Sequence, residues 1–306
     1  MKRKNINITI VGAGKIAHSL SVSLISKYNI ECVISRTLKS AQALAKKLSI
    51  KNYSDDLLDI PQSSDLIILS VPDYQIEKTS KRISRQDLKF TGKTFIHLSG
   101  SETIEALLSL KEKGSSTGSV HIMQTFPSKK HVSIKNCFAA VESDNQKTEK
   151  ILSGIAESVG LKPFAILSAQ KSLYHLSGVF TSNFLTGNFY IAGKIYSPVN
   201  KNVKLNDLIK PIVESTLKNI FNEGTTESLS GPVERGDITT IKNHLRDLKS
   251  KWFNFSNKNL AKLILLSYLV QSLILINITE EKKGRLSTEQ KKLEKLFRGE
   301  LKKIKF

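Results

Sequence analysis

An apolar, β-branched run at residues 6–11 leads straight into Gly12-Ala13-Gly14-Lys15-Ile16-Ala17. No other feature constrains the fold as much. The pattern G-x-G-x-x-A is weak in isolation. Here a strand precedes it, and helical spacing at Ile16, Leu20, Leu24 and Ile25 follows it. That is the context of a dinucleotide-binding strand–turn–helix. Gly12 permits the tight turn, Gly14 lets backbone approach a pyrophosphate, and Ala17 lets helix and strand pack closely. The helix start at Lys15 and Ile16 would then hold the phosphate charge. A plain strand-to-helix turn is the other use of these residues.

Further strands are expected at 31–35, 65–71, 94–98, 119–126 and 137–141, with helices at 38–48 and 103–113. Strands alternating with helices imply a parallel sheet, and strands apolar throughout imply cover on both faces. From residue 170 the segments are almost all helical: 170–196, 205–223, 237–249, 257–278 and 288–303. The expected class is α/β, an N-terminal doubly wound, mostly parallel Rossmann-type sheet followed by an all-helical domain. A chain of 306 residues suits two domains, set at 1–167 for the nucleotide and 168–306 for substrate and dimerisation.

The net charge of +20 raises the question of nucleic acid. Lysines number 39 and arginines 8, and the lysines are spread over the chain. A nucleic-acid surface uses more arginine and interleaved aromatics, so neither nucleic acid nor membrane is expected as partner. The apolar stretch at 260–278 contains Lys262, Ser267, Gln271, Ser272 and Asn277. It reads as a buried or intersubunit helix rather than a span, and a homodimer through the helical half is expected. Two cysteines, Cys32 and Cys137, exclude a disulfide scaffold and point to a reducing cytoplasm. His121 and Gln124 have no acid at metal-ligand spacing, so no metal is expected.

The second strand ends on Ser35-Arg36-Thr37, without the acid that holds an NAD ribose. A guanidinium and two hydroxyls suit a 2′-phosphate, so the cofactor reads as NADP. Arg36 as a solvated surface residue is the alternative. Val71-Pro72-Asp73 and His97-Leu98-Ser99-Gly100 both follow strands and reach the edge where open sheets bind ligands. Asp73 equally suits a helix N-cap, and His97 a satisfied core histidine.

In order along the chain stand Gly12-x-Gly14, Ser35-Arg36-Thr37, Val71-Pro72-Asp73, His97-Leu98-Ser99-Gly100 and His121-Ile122-Met123-Gln124-Thr125-Phe126. Lys171-x-x-Tyr174-His175 with Ser182-Asn183, and Ser230-Gly231-Pro232-x-x-Arg235-Gly236-Asp237 with His244, complete the set. This series resembles the Rossmann-like family whose C-terminal half is domain of unknown function 2520. Ile122 and Ser230 depart from its pattern, and neither removes a titratable group. The family is similar to pyrroline-5-carboxylate reductase, ketopantoate reductase and the 3-hydroxyacid dehydrogenases, with a helical domain of the 6-phosphogluconate dehydrogenase C-terminal-like kind. The resemblance implies NADP binding and oxidoreductase activity, and supplies no substrate.

Lys171 and His175 lie four apart at the start of a long helix, hence on one face. Hydride transfer needs an acid or electrostatic anchor and a positioned acceptor. By the resemblance Lys171 is that acid or anchor, His175 its partner or the proton donor, and Asn183 a further site residue. Asn183 lies off the stripe of a regular helix. Arg235 suits a carboxylate clamp or an ion pair, and Asp237 a substrate contact or an N-cap. The expected reaction moves a hydride to or from a small, anionic carbonyl, imine or hydroxy compound in a cleft between domains. A non-catalytic NADP-binding redox sensor or assembly module is the alternative.

Overall fold

The computed structural model describes residues 4–199, 202–250 and 258–304. They form two compact units, Met1–Phe184 and Leu185–Phe306.

The first unit is built on eight strands: β1 (Lys4–Val11), β2 (Tyr28–Ile34), β3 (Tyr53–Ser54), β4 (Leu66–Leu69), β5 (Thr94–His97), β6 (Ser116–Ile122), β7 (Phe138–Ser143) and β8 (Lys162–Ala165). Their order is β3-β2-β1-β4-β5-β6-β7-β8. Every pairing is parallel except β6 with β7. Helices α1 (Lys15–Ile25), α2 (Leu38–Leu48), α3 (Asp73–Ile83), α4 (Leu108–Lys111), α5 (Gln146–Ser158) and α6 (Ser168–Gly178) complete the unit. Two apolar clusters are built on the sheet, one around Ile8, Ile68 and Leu44, the other around Ile67, Leu69 and Phe95. This is the doubly wound arrangement that continuous apolar strands require.

Residues 146–165, unassigned by periodicity, fold as α5 and β8. Asn145 caps α5 by accepting from the Thr148 amide at 2.9 Å, and α5 buries Leu152 and Ala156. β8 is an edge strand of Lys162, Pro163, Phe164 and Ala165 with little burial, so it carries no alternating signal. The helix expected at 103–113 is a 3₁₀ turn (Ile104–Leu107) running into α4. The segment 170–196, read as one helix, is three pieces. They are α6, a π turn (Val179–Asn183) and α7 (Phe184–Tyr196). Helix α6 belongs to the first unit, beyond the boundary expected at 167, because Lys171 is tied into the sheet.

The second unit continues with α8 (Leu205–Ser228), α9 (Pro232–Arg235), α10 (Ile238–Lys249), α11 (Lys258–Lys283) and α12 (Thr288–Leu301). The helix expected to end at 223 runs on to Ser228, with a break at Gly224, φ +84°. Val233, Ile241, Leu245, Leu269, Ile276, Leu293 and Phe297 form its core. Ser287 and Gln290 make a capping box at the start of α12. Among the described residues, α11 is the one helix long and apolar enough to cross a membrane. One of its sides, Ile264, Leu269, Ser272 and Ile276, is buried, and Leu269 and Ile276 belong to the core of this unit. Residue 257, where that helix was expected to start, lies outside the described residues.

Candidate functional site

Strand order reverses between β1 and β4, the switch point where open sheets take nucleotides. Gly12 sits there at φ +106°, and a Cβ on it would stand 2.2 Å from the Ser70 carbonyl oxygen. The β4 backbone therefore dictates this glycine. Gly14 caps α1 without any side-chain bond, and a Cβ there would meet only the Ser70 oxygen, at 3.6 Å. The turn thus leaves the helix amides uncovered by protein side chains, as a phosphate cradle requires. Ala13 is buried, Lys15 exposed and Ile16 half-buried in the same turn.

At the end of β2, Ser35 donates its amide to Ser54. Arg36 is exposed and makes no ion pair among the described residues. Thr37 caps α2, its hydroxyl accepting from the Ser40 amide at 3.4 Å. One of the three expected phosphate contacts thus has a structural duty as well. The acid-free strand end and the unpaired guanidinium fit the extra phosphate of NADP.

After β4, Pro72 occupies the N-cap of α3 and Asp73 its first turn, with Val71 half-buried before them. The Ser99 hydroxyl donates to Asp73 Oδ2 at 2.8 Å. Ser99 also accepts from the Ser101 and Glu102 amides, at 3.2 and 3.0 Å. His97, expected beside the substrate, is fully buried. Its Nδ1 accepts from the Ser99 amide at 3.2 Å and its Nε2 faces the Thr103 carbonyl at 3.1 Å. Both nitrogens have protein partners, so the ring shapes the 99–103 turn. Burial first, then Lys171, lowers its pKa to about 4. It is neutral at pH 7.

Register explains what lies beneath. His97 pairs with Ser119, and Ser119 with Glu142. Residues directly opposite share one sheet face, so three polar side chains form a row across β5, β6 and β7. Lys171 of α6 is 1% exposed and completes the row. Its Nζ donates to Ser119 Oγ at 2.7 Å and to Glu142 Oε2 at 2.8 Å. Ser168 donates to Glu142 Oε1 at 2.6 Å, and the Ile104 amide to the same oxygen at 3.3 Å. Burial lowers the Lys171 pKa against the pull of Glu142. Burial would raise Glu142, but the bonds from Lys171 and Ser168 prevail and hold its carboxyl below the usual range. Lys171 is therefore an engaged, sealed ammonium.

Glu142 and Ser119 escaped the sequence reading. The available signal was a carboxylate closing the apolar run Phe138-Ala139-Ala140-Val141, since a buried acid requires a cation. His175 is half-buried next to the His121 ring, with centroids 5.8 Å apart. Asn183 is exposed, at the end of the π turn. That turn re-phases the helix, so Asn183 does not join the buried Lys171.

In the second unit Arg235 is exposed, without an ion pair among the described residues. Asp237 is the N-cap of α10. It accepts from the Thr240 amide at 3.0 Å and the Thr240 hydroxyl at 2.7 Å, and these bonds hold its pKa down. His244 faces the Tyr268 hydroxyl at 3.1 Å. No cluster of three His, Cys, Asp or Glu among the described residues could hold a metal.

Fold and phosphate turn define a dinucleotide-binding class. Residues 7–99 match the family described as NADP oxidoreductase, coenzyme F420-dependent, and residues 137–263 match domain of unknown function DUF2520. The matches liken residues 7–99 to NADP oxidoreductases and join them to a DUF2520 domain. No curated protein matches it. Solved structures share the fold. A Bacteroides fragilis protein described as a "putative NADP oxidoreductase" is 24% identical, with TM-score 0.73 over 88% of this chain and 97% of its own. The reductive aminase of Aspergillus terreus, in complex with NADPH and ethyl-5-oxohexanoate, is 14% identical, with TM-score 0.58 over 98% and 94%. Pyrroline-5-carboxylate reductase of Coxiella burnetii is 16% identical, with TM-score 0.54 over 96% and 99%.

Proposed function

We infer that this protein reduces a small carbonyl or imine compound, or oxidises the corresponding hydroxy compound or amine, at the carboxyl edge of β5 and β6. The reading is carried by one observation. The acid-free, Arg36-bearing nucleotide site and the buried polar row around Lys171 are built on one and the same sheet. NADPH supplies the hydride. Gly12, Ala13, Gly14, Lys15 and Ile16 would hold its pyrophosphate, Ser35, Arg36 and Thr37 its 2′-phosphate, and Val71, Pro72 and Asp73 the rim beside it. Lys171 acts as an electrostatic anchor: its positive charge lies under the place where an oxyanion would form. His175 and Ser99 border that place. Arg235 is the candidate clamp for an anionic group on the substrate.

The second reading, an NADP-binding module without turnover, is favoured by the full engagement of the Lys171 ammonium. Following NADPH absorbance across keto acids, ketones and cyclic imines separates the two. Turnover with any of them supports the reductase. Tight NADPH binding with no turnover supports the module.

A second copy is the proposed cover for the helical unit, in the cytoplasm. Helices α7 and α8 contain no buried residue, and Tyr190, Leu208, Ile212 and Phe221 stand exposed on them. Helix α11 adds Leu263, Val270 and Ile274 on its open side. Exposed apolar area of this extent marks an interface.

A further inference from the structure

Two histidine rings crowd one glycine past the end of β5. A Cβ on Gly100 would stand 2.7 Å from Nε2 of His121 and 2.7 Å from Cδ2 of His175. The His121 ring meets Tyr174 edge-on at 5.4 Å, and its Nδ1 lies 3.0 Å from the Tyr174 hydroxyl. One hydrogen sits between them, and the chemistry assigns it. If the imidazole donated, the phenol proton would have no acceptor among the described residues. Imidazole nitrogen is also the better acceptor and phenol the better donor. Tyr174 therefore donates to Nδ1, which leaves the ring proton on Nε2.

Nε2 has no hydrogen-bond partner among the described residues, and unlike both nitrogens of His18 it is not sealed from solvent. Burial, then His175 and Lys171, lowers the His121 pKa to about 4. Burial raises Tyr174 to about 12. Both groups keep this protonation at pH 7.

We propose that His121 contacts the substrate, its Nε2–H donating past Gly100 to a lone pair on the carbonyl oxygen or imine nitrogen. The proposal rests on the reductase reading. A neutral imidazole is a competent electrophile. As hydride adds to the carbon, the π pair of the double bond moves to the heteroatom. On oxygen, Nε2–H holds that charge until water delivers the completing proton; on nitrogen, whose anion is too basic to persist beside an imidazole N–H, the Nε2 proton passes across as the charge forms and water restores it to the ring. The site then selects ketones, aldehydes and neutral imines. An iminium nitrogen has no lone pair to accept the bond.

Two measurements on the NADPH-bound protein test this. Nitrogen-15 NMR of labelled histidine, with His121 assigned by its loss in His121→Gln, should show a protonated Nε2 and a bare Nδ1 between pH 5.5 and 8. Tyr174→Phe should mix the tautomers. A protonated Nδ1 in the wild type overturns the inference whatever the turnover. Across the substrate panel, His121→Ala should cut kcat about 10²–10³-fold, with NADPH affinity unchanged. His121→Gln, whose amide can also donate, should recover part of the loss. Full turnover by His121→Ala overturns the substrate contact. A wild type with the expected tautomer that binds NADPH and turns over nothing overturns the reductase reading and the contact with it.

Discussion

Lys171 and Glu142 are worth more together than either is alone. Removing the ammonium leaves a carboxylate sealed in the sheet, a loss of about 3–5 kcal/mol. Lys171→Met should therefore unfold at much lower urea. The double variant Lys171→Met with Glu142→Gln should regain most of the loss, because the amide can still serve Ser119 and Ser168. Equal destabilisation of single and double variants would show that the pair is not coupled. The buried histidines set a pH limit. His97 binds its proton near pH 4 when folded, against an ordinary value of 6.5. As pH falls, the unfolded chain takes up that proton first. Stability is unaffected above about pH 6.5 and drops between there and pH 4, by up to about 3 kcal/mol for this ring. His121 acts in the same direction. Urea unfolding at pH 7 and pH 5 checks it, and a flat profile would count against the neutral, buried rings. Lys171 was legible because it stands in a helical motif with His175. Its partners were not, because only the register of three strands brings Ser119 and Glu142 together.

At the level of elements, the turn between β1 and α1 separates folding from binding. Gly12→Ala puts a Cβ onto the Ser70 carbonyl at a left-handed φ, so both stability and nucleotide binding should fall. Gly14→Ala has room and an ordinary φ of −77°, so thermal unfolding should stay near wild type while NADPH affinity drops. Parallel losses in both variants would contradict that division. At the tip of β2, Arg36→Ala should erase most of the preference for NADPH over NADH, about 10–100-fold, the worth of one charge-assisted bond. Comparable wild-type affinity for the two cofactors would remove the basis of that assignment. The sequence disclosed this turn almost completely, since strand, glycines and helix are contiguous. It concealed the break in the long helix after α6. A π turn has no residue signature of its own, and Val179–Asn183 looks like ordinary helix.

For the whole molecule the open question is the company of the helical unit. A 13-residue and a 24-residue helix without one buried residue present more apolar surface than the rest of that unit covers. Light scattering at micromolar concentration should show a dimer, and Ile212→Glu with Phe221→Glu should convert it to a monomer with its nucleotide affinity retained. A monomeric wild type would sink the idea. The two-part organisation was readable from the change of period after the sheet. The boundary was not, because a helix was assigned by its sequence pattern rather than by what its lysine binds.

The polar row across β5, β6 and β7 has a consequence for how such chains can drift. Side chains alternate faces along a strand, so one residue inserted within β7 ahead of Glu142 would carry its carboxylate to the opposite face, out of reach of Lys171. The connection at residues 123–137, outside the strands, carries no such parity, although its Ile134 is buried in the core of the sheet. Length can change at the exposed residues 127–131 without turning Glu142 over. The parity of β7 cannot.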